Sequence, residues 1–140
     1  MFPEDFGFIL KTDTDEINSI DATYRRRYLN KDTIVVLKFT KAELTNIYSL
    51  FLEHGLNNFP TNYEPAFQTA SAPVFYYEYL FRINGQYKSI KFTSNCFRAT
   101  FHWWAKYKLK QLQKVAGQIE QMTFNKKEIQ GLQETDIGFF

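Results

Sequence analysis

Residues 39–60, FTKAELTNIYSLFLEHGLNNFP, constrain the fold more than any other stretch. Both ends of one helix are written into it. Thr40 and Glu43 form the T-x-x-E capping box: the hydroxyl accepts from the N–H of residue 43, and the carboxylate accepts from the N–H of residue 40. Phe39 and Leu44 can close a hydrophobic staple over that start. Leu44, Ile47, Tyr48 and Phe51 recur at i, i+3, i+4 and i+7, so they share one face. Gly55 stands where a left-handed residue ends a helix, with Leu56 placed to fold back onto Phe51. A helix with a single apolar stripe must bury it, and the rest of the chain has to supply the surface.

That surface reads as a sheet. Val74 to Ile83, Asn84-Gly85 and Gln86 to Thr93 form a hairpin, because Asn-Gly is the preferred pair for a two-residue type I′ turn with two positive φ angles. The turn sets the register. Arg82 faces Tyr87, Leu80 faces Ser89 and Glu78 faces Lys91 on one side; Tyr79 faces Ile90 and Tyr77 faces Phe92 on the other. The second set, with Phe75, Phe81 and Ile83, is the expected core face. Aromatic residues are 19% of the chain, with 15 Phe and 9 Tyr, a bias that suits a pleated, packed surface.

Earlier in the chain, Phe6, Phe8 and Leu10 alternate as a first strand within residues 2–12. Residues 13–19, DTDEINS, read as an acidic loop. Asp13 and Asp15 resemble the start of a calcium loop, but Asn18 and Tyr24 stand where that pattern needs Gly and Glu. Residues 21–29 form a second strand with no plainly apolar face, which places it at an edge or on a solvated face. Thr33 to Phe39, TIVVLKF, is apolar on both faces and is expected at the centre of the sheet.

A long helix begins between Asn95 and Phe101 and runs to about Met122. Phe101, Trp104, Ala105, Leu109, Leu112, Val115, Ala116, Ile119 and Met122 fall in one arc, with only Lys108 intruding on its flexible stem. The fold class expected is therefore α+β: a mostly antiparallel sheet of about five strands with two helices on one face, in the order β-β-β-α-β-β-α. Residues 1–124 make one domain, and residues 125–140 form a short helical turn and a C-terminal tail.

Catalysis finds little support. No G-x-S-x-G, H-E-x-x-H, P-loop or dinucleotide-binding glycine pattern occurs. Cys96 is the only cysteine, which excludes an internal disulfide and any metal site needing two thiolates. A thiol nucleophile at Cys96 would need His102 or His54 as its base, and a helix through 96–102 would turn Cys96 and His102 to different faces. No metal and no cofactor are expected.

Two surfaces are candidates for binding. The first is the proline-bearing stretch 55–73 with Phe59, Tyr63 and Phe67, which is either an Ω-loop folded back on the sheet or a binding loop. The second is the other face of the long helix, where Trp103 and Tyr107 stand beside Lys106, Lys110 and Lys114. Cations next to aromatics can stack bases or grip an acidic partner. Arg25, Arg26 and Arg27 add another basic spot. The net charge of +2 and the absence of any RRM, KH or helix-turn-helix signature point to a protein or small ligand over nucleic acid.

The segments LEHGLNNFP and FYYEYLFRINGQYKSIKF, with the proline-bearing stretch between them and a long C-terminal helix after, resemble small uncharacterised bacterial envelope or lipoprotein domains. The resemblance implies an extracytoplasmic binding domain whose signal has been removed; it brings no catalytic residue, and the lipid-attachment cysteine of such proteins is missing. No signal peptide and no membrane-spanning run of apolar residues are evident. The sequence is equally consistent with a cytoplasmic protein. The expected function is a non-catalytic binding module, with an immunity- or inhibitor-type protein and a small Cys96 hydrolase as alternatives.

Overall fold

The computed structural model describes residues 2–64, 75–94 and 103–133, with Trp103 described through its backbone alone. Within them the chain runs β1 (Gly7–Thr12), β2 (Asp15–Asn18), β3 (Thr23–Arg27), β4 (Asp32–Val36), α1 (Lys41–Glu53), a 3-10 turn (Leu56–Asn58), β5 (Asn62–Tyr63), β6 (Tyr76–Ile83), β7 (Gln86–Thr93), α2 (Trp103–Phe124) and α3 (Lys127–Gln130). The strands form one sheet in the order β4-β3-β2-β1-β6-β7-β5. All pairings are antiparallel except β5 with β7. The α+β class stands, with seven strands among the described residues instead of about five, and a third short helix.

α1 starts and stops where its signals lie. The Thr40 hydroxyl accepts from the Glu43 N–H at 3.1 Å, and Glu43 Oε1 accepts from the Thr40 N–H at 2.9 Å. Gly55 ends the helix at φ 73°. The hairpin register is the expected one, pair for pair, from Tyr77–Phe92 to Arg82–Tyr87. Its turn is clamped from outside: the Asp5 carboxylate accepts from the Asn84 N–H at 2.7 Å and the Gly85 N–H at 2.6 Å.

One row of residues crosses all seven strands on the core face: Val35, Tyr24, Ile17, Leu10, Tyr79, Ile90 and Tyr63. Ile47 and Phe51 of α1 and Leu109, Leu112, Val115, Ala116 and Ile119 of α2 are buried against that face in a single core. The opposite face carries a different row, Arg25, Glu16, Lys11, Glu78 and Lys91, whose charges alternate in sign from β3 to β7. Opposite charges facing across strands favour this register, and the row keeps that face solvated.

Four expectations are corrected. Residues 15–18 are strand β2, not loop; Glu16 pairs with Arg25 at 3.1 Å and Asp15 with Arg26 at 3.4 Å, cross-strand charge pairs that no local pattern displays. The apolar strand β4, expected at the centre, is the edge, while β3 lies beside it inside the sheet with Arg25 on the solvated face, the second of its two expected placements. Phe75 is exposed, since it precedes β6 instead of joining the core face. Trp104 is 54% exposed because the first described turn of α2 overhangs a groove instead of the sheet. Beyond α2, Ile129 of α3 is buried in the core, so residues up to 133 dock.

Candidate functional site

The groove lies between the end of α1 and the first half of α2. Gly55 turns the chain off α1, and the 3-10 turn brings Phe59 inward, 4% exposed. Three contacts tie this segment to β7: the Lys88 ammonium donates to the Phe59 carbonyl, the Ser89 N–H donates to the Thr61 carbonyl at 2.8 Å, and Asn62 and Tyr63 pair with Ser89 and Ile90. Desolvation holds the Lys88 ammonium below its usual range. Phe59 and Tyr63 meet edge to face with centroids 5.5 Å apart. Both are therefore built into the fold and do not project from an open loop. Phe67 lies outside the described residues, as do Cys96 and His102.

α2 supplies the other wall. Trp104, Tyr107, Lys108 and Gln111 follow the i, i+3, i+4, i+7 spacing and line the groove together with Glu53, His54, Asn58 and Phe59, so Lys108 and Glu53 balance inside it and the excess positive charge lies on Lys110 and Lys114 beside it. The groove encloses about 310 Å³. Lys108 places its ammonium 5.8 Å from the Phe59 ring centre and 5.6 Å from that of Tyr63. Cations on aromatic faces are held by the ring quadrupole, worth roughly 0.5–2 kcal/mol. His54 Nδ1 lies 2.8 Å from Gln111 Oε1, which fastens the end of α1 to α2 across the floor of the groove.

The two surfaces expected from sequence meet at Tyr107, which is 57% exposed. It lines the groove beside Phe59 and stands three and seven residues before Lys110 and Lys114, both exposed. Lys106, expected on the open face, is only partly exposed. Trp103 shares the helix, with its side chain not described. The sequence patterns do not mark Trp104, Lys108, His54 or Gln111 as binding residues. Trp104 and Lys108 fall in the arc expected to face the core, and no pattern in the sequence ties His54, just past the end of α1, to Gln111.

The arginine spot does not survive as a free basic surface. Arg25 pairs with Glu16; Arg26 donates to the Tyr24 hydroxyl at 2.9 Å and to the Gln133 carbonyl at 2.8 Å; Arg27 donates to the Asp13 carbonyl at 2.9 Å. A larger cleft of about 590 Å³ opens at the far end of β1 and β6, lined by Lys11, Asp13, Arg27, Glu64, Glu78 and Lys91. Its positive and negative side chains balance, so it selects no sign of charge. Among the described residues no cluster of three or more His, Cys, Asp or Glu is arranged to hold a metal, and no helix is long and apolar enough to cross a membrane. Compared with known protein families and with curated proteins, the sequence matches none.

Proposed function

We propose that this chain is a non-catalytic binding module that docks an acidic protein segment across α2, seating one apolar or aromatic side chain in the Tyr107 groove. The observation that carries the reading is the position of Tyr107, an exposed ring shared by an aromatic groove and by the Lys110–Lys114 stripe. Rings give an anchor large contact area at small entropic cost, and the lysines attract carboxylates flanking it. The resemblance to envelope domains adds an extracytoplasmic setting to the proposal.

Selection of a random displayed peptide library on the wild-type protein tests it. Enriched peptides are expected to share one aromatic or large aliphatic residue flanked by Asp or Glu, and to lose binding to Tyr107→Ala. Enrichment of basic peptides, or of peptides indifferent to Tyr107→Ala, would overturn it. An inhibitor-type role is distinguished by a tight one-to-one complex that silences a partner enzyme.

A further inference from the structure

Strand β4 has the composition of an interior strand and the position of an edge. Ile34 and Val36 are 63% and 62% exposed. The ladder shows where its unpaired backbone groups point. The Leu37 N–H donates to the Ala22 carbonyl, and the Tyr28 N–H donates to the Lys31 carbonyl. With the register Tyr24–Val35 and Arg26–Thr33 between them, positions 31, 33, 35 and 37 carry the hydrogen bonds to β3. In an antiparallel pair the alternate residues turn their N–H and C=O away. Asp32, Ile34 and Val36 thus present theirs outward, and no proline lies in the strand. Natural edge strands are usually blunted against such pairing by charge, proline or a bulge.

We infer that β4 pairs antiparallel with β4 of a second copy of this chain, across a twofold axis at Ile34. The exposed face of the strand supplies the reason for a second copy. It reads Asp32, Ile34, Val36, Lys38, all exposed, with buried Leu37 fixing the alternation. Reversed against itself, this stripe sets Ile34 opposite Ile34, Asp32 opposite Val36, and Lys38 of the second copy diagonal to Asp32. Diagonal neighbours across a pair lie within reach of a lysine side chain. The contact is isologous, so the acidic–basic pairing occurs twice while the aliphatic residues meet at the axis. The outward N–H and C=O groups of residues 32, 34 and 36 fall on facing positions, and the two sheets join into one with both helix layers on the same side.

Sedimentation velocity over a concentration series reads the assembly, with circular dichroism checking the fold of each variant. The wild type is expected to pass from monomer to dimer as concentration rises. Ile34→Lys sets two ammonium groups at the axis and should leave monomer only. Lys38→Glu should raise the dimer Kd by about tenfold or more by setting a carboxylate beside Asp32. Adding Asp32→Lys to Lys38→Glu exchanges the charges and should restore the wild-type Kd. A wild type that stays monomeric throughout, a dimer indifferent to Ile34→Lys, or a charge exchange that fails to rescue would each overturn the inference.

Discussion

Glu43 and Lys126 join the start of α1 to the residue that precedes α3: Lys126 Nζ lies 2.9 Å from Glu43 Oε1 and 3.0 Å from Oε2. The same carboxylate caps α1, and the same ammonium sits 5.1 Å from the centre of the Phe39 ring that precedes the cap. One local signal, the capping box, thus becomes a tertiary latch for residues 83 positions apart.

Removing the latch should cost measurable stability. Glu43→Ala deletes a cap hydrogen bond and a charge-assisted bond together, an expected loss of about 1–3 kcal/mol. The urea midpoint should fall with an unchanged slope. Burial would raise the Glu43 carboxyl, but the Thr40 N–H and Lys126 outweigh it and hold the pKa below 4.5. A lowered folded pKa means stability present above the ordinary value and lost as pH falls through the folded one. Glu43→Gln should therefore flatten the acid limb of the stability profile.

Glu120 carries the opposite sign. Burial, and then the Asp15 charge, push its carboxyl above 4.5. It lines a hollow of about 300 Å³ with Asp13, Asp15 and Tyr77. A raised folded pKa stabilises below the ordinary value and loses that contribution as pH climbs through the folded one. Glu120→Gln is expected to raise the thermal midpoint at neutral pH and to make little difference in acid; a neutral-pH midpoint lower than wild type would contradict the assignment.

Two buried tyrosines should respond differently to loss of their hydroxyls. Tyr24 donates to Asp15 at 2.5 Å and accepts from Arg26, so Tyr24→Phe should cost about 1–3 kcal/mol. The Tyr79 hydroxyl is buried without a hydrogen-bond partner among the described residues. Burial drives its phenol pKa well upward. Tyr79→Phe removes an unsatisfied group and should be neutral or stabilising by up to about 1 kcal/mol. Chemical denaturation of both variants decides it.

Much of the fold was legible locally. The T-x-x-E box and Gly55 bound α1, and Asn84-Gly85 sets every hairpin pair, because each signal acts within a few residues. What failed was non-local. TIVVLKF is apolar on both faces, a property shared by a buried strand and by an edge awaiting a partner. Asp15 and Glu16 read as loop because their arginines stand across the sheet. The site is half legible: Tyr107 and Phe59 stand out in the sequence for separate reasons, and only folding brings them to one groove. Lys108 looked like an intruder in a core stripe, and the rings it covers come from the segment after α1.

The central claim is that Tyr107 anchors an acidic partner segment. The most direct measurement is isothermal titration of a displayed-library peptide, selected for binding, against wild type, Tyr107→Ala and the Lys110→Glu/Lys114→Glu pair. Tyr107→Ala should bind at least about tenfold more weakly, a hot-spot loss. The lysine pair should also bind more weakly, and wild-type affinity should fall as salt rises. Affinity unchanged in both variants would contradict the claim and move the site elsewhere on the molecule.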